Sequence, residues 1–158
     1  GDIISVAGSL STNNYKGVTY PQFIIRDIKP SASQTASDVS DRDRFEQIKG
    51  GAPINKGEDV IPSRDDFALV YKLFLSSLRS GVNTMTHREI MSKINHMHSA
   101  KRMSYIKLKF IIAILAELKL CGVKEPGDNL YIFDVYCDVA KTNIENSEIL
   151  KKLRVQCK

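Results

Sequence analysis

Basic side chains dominate residues 87–119, where seven lysines and arginines stand against two glutamates. A local excess of positive charge favours a polyanionic partner. Two helices joined by a turn would place these cations and a nearby tyrosine within reach of nucleic-acid phosphates and bases. The candidate nucleic-acid-binding residues of this segment are Arg88, Lys93, Lys101, Arg102, Tyr105, Lys107 and Lys109. The same charges are also compatible with an ordinary solvated surface.

The three histidines lack the spacing of a metal site. His96 and His98 are two residues apart, so on a helix their side chains point about 200° apart and cannot converge on one ion. His87 lies well before them in the chain. We therefore predict no metal site.

The other reactive side chains form no recognisable catalytic set. The chain lacks the phosphate-binding patterns GxGxxG and GxxxxGK[ST] and the hydrolase patterns HExxH and GxSxG. Asp65 and Asp66 suit the first turn of a helix, where acids complement the helix dipole. Cys121 is predicted at a helix C-terminus, which raises the pKa of a thiol. We expect no catalytic residue.

The composition is typical of a globular protein, and the excess of positive charge is confined to one region of the chain. The 158 residues are 42% hydrophobic, and the formal net charge is +5. Residues 63–121 hold 10 basic and 4 acidic side chains, whereas the segments before and after them are close to neutral. Three widely spaced cysteines argue against a disulfide framework, and no apolar run reaches transmembrane length. We expect a cytoplasmic protein without membrane contact.

The sequence signals for the helices and strands that position the cations are strongest from residue 63 onward. Amphipathic periodicity predicts three helices, the third ending at Gly122, and each begins at a capping signal. Short strands then flank the turn sequence PGDN at 126–129, and residues 145–156 predict a last helix. Three helices and a hairpin are the order of a winged helix, so we predict a winged-helix-like domain over 63–158. The capping signals are Ser63 with Asp66, Thr86 with Glu89, and Ser104.

Residues 31–62 are polar and contain few large apolar side chains. Such a segment cannot bury enough surface to fold alone. We predict a flexible linker, within which DRDRFEQI at 41–48 forms a short helical turn or docks weakly.

Residues 1–30 predict a β-hairpin with its turn at 13–17, where asparagine and glycine tolerate positive φ. Both strands carry apolar residues that we assign to both faces, as in strands buried within a larger sheet. A lone hairpin is marginal in water. We expect that its partner strands lie in a longer protein, and that its exposed edges favour docking or self-association.

The hairpin resembles the strand pair that closes the OB-fold region of RecJ, the single-strand-specific 5′ to 3′ DNA exonuclease family of the DHH phosphoesterase superfamily. The resemblance rests on LSxNxYxG at 10–17 and PQFIIxDI at 21–28, with Phe23 where the family usually has leucine. PSRDDFALVYKLF at 62–74 and ENSEILKKL at 145–153 resemble the C-terminal region of clostridial-type members.

The resemblance implies an α+β chain made of an incomplete OB-fold hairpin (1–30), a linker (31–62) and a winged-helix-like domain (63–158). It implies a non-catalytic part of the exonuclease, acting in DNA repair and recombination. The parent enzymes bind Mn²⁺ or Mg²⁺ through clusters that include an Asp-His-His triplet, which this sequence lacks, so no cofactor is expected here. In the family, the hairpin region helps to hold single-stranded DNA. The residues implied are Tyr15, Lys16, Tyr20 and Arg26.

Two other functions fit the same residues. A winged helix could dock a helicase or a single-strand-binding protein, with the cations maintaining solubility. It could also be a transcriptional regulator whose third helix reads duplex DNA. Phosphate binding weakens steeply with salt, and a preference for duplex would identify the regulator.

Overall fold

The chain begins with a long β-hairpin and continues through helices and a small antiparallel sheet. The computed structural model describes residues 4–97, 102–127, 129–136 and 142–157. Within these residues it contains five α-helices, and the α+β class predicted from the sequence is confirmed. The chain divides into two units, residues 1–40 and 41–158.

The first unit is dominated by the hairpin of β1 (Ile4–Tyr15) and β2 (Val18–Pro30). The strands pair in antiparallel fashion along their whole length. Lys16 and Gly17 form the turn, with φ of 51° and 80°. Two successive positive φ angles are typical of the two-residue turn that matches strand twist. Residues 13–15, predicted to lie in the turn, therefore belong to β1.

A helix occupies much of the segment predicted to be a flexible linker. α1 (Ala32–Lys49) is polar along most of its length. Two apolar side chains fix its C-terminal half, because Phe45 and Ile48 are both buried. The ring of Phe45 packs against that of Phe110, with centroids 4.8 Å apart. The linker prediction failed because tertiary packing, rather than periodicity or propensity, stabilises this helix.

The second unit continues in the order helix, strand, helix, helix, strand, strand, helix. Its three strands form an antiparallel sheet in the order β3-β5-β4. β3 was not predicted, since it has three residues and depends on pairing with the distant β5. The elements are α2 (Arg64–Arg79), β3 (Thr84–Thr86), α3 (His87–Met97), α4 (Tyr105–Glu117), β4 (Cys121–Gly127), β5 (Leu130–Val135) and α5 (Glu148–Gln156).

Helix starts in the second unit follow the capping signals of the sequence. The Ser63 side chain accepts from the backbone N–H of Asp66, and the Asp66 carboxylate accepts from the backbone N–H of Ser63. Thr86 and Glu89 exchange the same pair of hydrogen bonds before α3. Ser104 caps α4. Local polar contacts therefore set these boundaries, which is why they were predictable.

The C-terminus of α4 differs from the prediction. The helix ends at Glu117, and Lys119, rather than Gly122, takes the left-handed conformation, with φ of 55°. Gly122 lies within β4, where a Cβ atom would stand 2.6 Å from the hydroxyl of Tyr136. The glycine is needed for close approach and not for helix termination.

α4 forms the centre of the core. Nine of its 13 residues are buried, and it packs against α2, α3, α5 and β4. Phe74 of α2 and Phe133 of β5 stack beside it, with ring centroids 4.3 Å apart. None of the helices within the described ranges has the length and apolar character needed to cross a membrane.

Candidate functional site

The strand register sorts the hairpin side chains onto two faces, because paired residues share a face and successive residues alternate. Six of the large apolar side chains lie together on one face. Val18 and Ile24 lie on the other face with the tyrosines, so apolar residues occupy both faces as predicted. All are exposed, and Leu10 has 81% of its area accessible. We define the apolar face by Ile4, Val6, Leu10, Phe23, Ile25 and Ile28.

A β-bulge keeps this apolar face continuous. Ala7 pairs with Asp27. The next residue, Gly8, pairs with Ile25, so Arg26 is an extra residue in β2. An extra residue shifts the alternation of its strand by one position. Without it, Ile25 and Ile28 would point to opposite faces.

The opposite face of the hairpin is mostly polar and carries two tyrosines near the tip. Tyr15 and Tyr20 are 64% and 53% exposed, respectively. Because Tyr15 pairs with Val18 and Tyr20 pairs with Asn13, the two tyrosines are diagonal neighbours. The ammonium of Lys16 lies 5.4 Å from the ring centroid of Tyr15. Three of the four predicted hairpin residues therefore gather at the tip, whereas the exposed Arg26 lies nearer the base.

Two of the three candidates on α4 lie in interior contacts. Lys107 is 2% exposed, and its Nζ lies 2.5 Å from Asp59 and 3.6 Å from Asp66. Tyr105 is buried, and its hydroxyl donates to Asn129 Oδ1 at 2.7 Å. Neither side chain presents the open surface that a phosphate or a base would need. Both are structural residues in this fold, contrary to their predicted role.

Lys109, the third candidate on α4, lies among aromatic rings at the surface. Its Nζ is 2.6 Å from Glu125 Oε1. It is 5.1 Å from the ring centroid of Tyr131 and 6.0 Å from those of Phe45 and Tyr105. An ion pair together with cation–π contacts fixes the ammonium in place. Lys109 is therefore less available for phosphate than an unrestrained surface lysine.

His87 is a core residue beside this cluster. Its Nδ1 lies 3.1 Å from the hydroxyl of Tyr131, and its ring centroid is 4.2 Å from that of Tyr105. Burial, with a smaller effect from the Lys109 charge, lowers the pKa of His87 to about 3. Burial also raises the pKa of Tyr131. The imidazole is therefore neutral near pH 7, and its Nε2 finds no hydrogen-bond partner among the described residues.

The other reactive residues considered in the sequence are His96, His98 and Cys121. In the ranges the structure covers, no three His, Cys, Asp or Glu side chains are grouped as they would be to hold a metal ion. His96 is exposed on α3, and His98 lies outside the described residues. Burial raises the pKa of Cys121 to about 12, with a smaller effect from Asp134. The thiol is therefore a poor nucleophile, as predicted, although burial is the main cause.

The structure describes three of the four other predicted cations of the second unit. Lys93 is exposed on α3, and Arg102 is exposed just before α4. Arg88 is half-buried in the first turn of α3. Lys101 lies outside the described residues. Their role in binding nucleic acid stays a prediction.

A cleft of about 1170 Å³ in the second unit was not predicted from the sequence. It is lined by the C-terminal half of α1 and by parts of α4, β4 and α5. Its walls combine apolar side chains with five cations and two glutamates. No local signal could have revealed it, because one wall belongs to the helix that was predicted to be a linker.

Comparison with known proteins identifies no relative: no protein-family model, curated protein or solved structure matches the chain. Function is therefore inferred from the two-faced hairpin and from the surfaces of the second unit.

Proposed function

We propose that this chain is a non-catalytic part of a RecJ-like, single-strand-specific 5′ to 3′ exonuclease and supplies affinity for single-stranded DNA during repair and recombination. The observation that carries the proposal is the two-faced hairpin. Six of its large apolar side chains lie on one face, and its two tip tyrosines lie on the other beside a lysine. In this proposal, the two faces of the hairpin have separate roles.

The apolar face packs against further β-strands of an OB-fold in this proposal. Six large apolar side chains on one face of a two-stranded hairpin form a contiguous hydrophobic surface. A two-stranded hairpin is at best marginally stable in water, and a hydrophobic surface of this kind is typical of an interface. Covering strands would bury these side chains and leave the opposite face accessible.

The tip of the polar face then contacts the nucleic acid. Diagonal positions place the Tyr15 and Tyr20 side chains roughly 7–8 Å apart on one surface. Aromatic rings of this kind stack on bases of any sequence, and Lys16 supplies a positive charge for the backbone phosphates. OB-folds hold single strands with the same combination of aromatics and cations.

The second unit supports a winged-helix-like accessory domain in this proposal. β3 lies between α2 and α3 in the chain, and the paired strands β4 and β5 follow α4. This order supports the proposal, because a winged helix has a strand after its first helix and a two-stranded wing after its third. A duplex-reading regulator is less well supported. The helix that would enter the major groove is α4, most of whose residues are buried.

A salt-dependent titration of the full chain with a fluorescent single-stranded oligonucleotide tests the proposal. We expect affinity to fall steeply with salt, and the Tyr15→Ala/Tyr20→Ala variant to bind at least about tenfold more weakly at fixed salt. Thr19→Ala is the matched control, since Thr19 is next to Tyr20 and on the other face. Equal affinity of the tyrosine variant and the wild type, or a preference for duplex, would refute the proposal.

A further inference from the structure

We propose that the cleft of the second unit binds an acidic, amphipathic peptide segment of a partner protein. This inference goes beyond the proposed role of the hairpin and does not depend on it. The volume of about 1170 Å³ exceeds the roughly 300–1,000 Å³ that is common for small-molecule sites. A space of this size suits several side chains of a peptide.

The walls of the cleft offer room for apolar anchors. On α4, the cleft is lined by the half-buried Ala113 and Ala116, whose small side chains leave space above the helix. On α5, it is lined by Ile149 and by Val155, which is 66% exposed. An apolar wall with an exposed valine gains stability when an apolar side chain of a partner covers it.

The charges around the cleft select an acidic occupant. Five cations line it against two acids, Glu46 and Glu125. The Nζ of Lys49 lies 3.6 Å from the Glu46 carboxylate, and both side chains are largely exposed. Such an exposed pair is weak, so it competes little with an incoming carboxylate. The net positive charge attracts an acidic segment and repels a basic one. The five cations are Arg42, Lys49, Lys109, Lys151 and Lys152.

A peptide suits the cleft better than a nucleic acid. Single-stranded nucleic acids are held by exposed aromatic faces on which bases stack. The two phenylalanines that line the cleft, Phe45 and Phe110, are buried and packed against each other. Their ring faces are therefore not open to a base, whereas aliphatic side chains can fill the space beside them.

Fluorescence anisotropy of the full chain with three 15-residue labelled peptides tests the inference. The first peptide has leucine at helical spacing and glutamate elsewhere, the second has lysine in place of glutamate, and the third is a scrambled form of the first. We expect the first peptide to bind at least tenfold more tightly than either of the others. Equal binding of the scrambled peptide would show a general charge effect and overturn the proposal.

Two variants locate the binding. Lys152→Glu and Val155→Asp each alter an exposed side chain that lines the cleft, and each should weaken binding of the acidic peptide about tenfold. The controls are Lys72→Glu on α2 and Val82→Asp after it, which make the same changes at exposed positions outside the cleft. Matching thermal unfolding curves would show that all four variants fold.

Unchanged affinity in both cleft variants would overturn the inference. Displacement of the peptide by an equimolar single-stranded oligonucleotide would also overturn it and would assign the cleft to nucleic acid. The Tyr15→Ala/Tyr20→Ala variant distinguishes a failure of the peptide-binding inference from a failure of the proposed role of the hairpin. That variant should lose affinity for the oligonucleotide while binding the acidic peptide like the wild type.

Discussion

The ammonium of Lys107 lies 2.5 Å from the carboxylate of Asp59, across 48 positions of sequence, and is almost completely shielded from solvent. The pair ties α4 to the segment that precedes α2. Asp66, in the first turn of α2, lies 3.6 Å from the same ammonium. A cation predicted to meet phosphate thus neutralises carboxylates within the fold.

Replacement of Lys107 by methionine should destabilise the chain while leaving its affinity for single-stranded DNA unchanged. The substitution keeps the apolar stem but leaves Asp59 without its partner ammonium, and we expect a loss of about 2–3 kcal/mol in the free energy of unfolding. Urea denaturation measures this loss. Lys93→Met, at an exposed position of α3, is the control and should change stability by less than about 0.5 kcal/mol. A stable Lys107→Met variant that loses DNA affinity would contradict the structural role.

Gly8→Ala should loosen the hairpin. A Cβ atom at residue 8 would lie 2.2 Å from the carbonyl oxygen of Ile24 and 2.9 Å from the ring of Phe23. The strands must separate locally to relieve this overlap, at a cost of about 1–3 kcal/mol. Hydrogen exchange of the β1 and β2 amides should therefore accelerate.

The matched control for that substitution is Gly127→Ala, where an added Cβ atom meets nothing within 4 Å. We expect the exchange rates of the hairpin amides in this variant to match those of the wild type. Unchanged exchange of the hairpin amides in Gly8→Ala itself would show that the bulge and the register around it are wrongly assigned.

His87 should make stability depend on pH between about 6.5 and 3. Its pKa is about 3 in the folded chain, against an ordinary value of 6.5, so the unfolded chain binds the extra proton in this interval. The His87 contribution is complete above pH 6.5 and is lost as the pH falls. Between pH 7 and 5, we expect a loss of about 2 kcal/mol from this group.

Urea midpoints of the wild type and of His87→Phe at pH 7 and pH 5 test the assignment. The phenylalanine keeps an aromatic ring beside Tyr105 but cannot be protonated. It should therefore unfold at more nearly equal urea concentrations at the two pH values. An identical pH response of the two proteins would show that His87 does not remain neutral in the fold.

Local signals in the sequence predicted much of the second unit. Helix starts depend on contacts between residues three apart, such as Ser63 with Asp66, and these contacts are visible in the sequence. The buried stripe of α2 was also predicted, because Phe67, Val70 and Phe74 recur at helical spacing and are all buried. The final helix, α5, buries Leu150 and Leu153 as its spacing indicated.

The features that the sequence could not indicate depend on contacts between residues that are far apart in the chain. Whether Lys107 faces solvent depends on Asp59, and that partner is far away in the chain. The two faces of the hairpin depend on a bulge at Arg26, and shifting the register at one residue reverses every side chain beyond it. The cleft depends on α1, whose polar composition predicted a linker. These features carry the functional inference, so the candidate site was less predictable than the fold.

The ion pair between Arg44 and Glu58 offers a direct test of the docking of α1. The guanidinium donates to Glu58 Oε1 and Oε2 at 2.9 and 2.7 Å, and also to the carbonyl of Pro53. The hydrogen bond from Arg44 is the main cause that lowers the pKa of Glu58 to about 2. Arg44→Gln should therefore raise that pKa toward 4.5, as followed by NMR titration of the side-chain carboxyl carbon. Arg64→Gln, at an exposed position in the first turn of α2, should leave it near 2. A Glu58 that titrates near 4.5 in the unsubstituted chain would show that this ion pair does not form, and the contact between α1 and the segment before α2 would then be wrongly assigned.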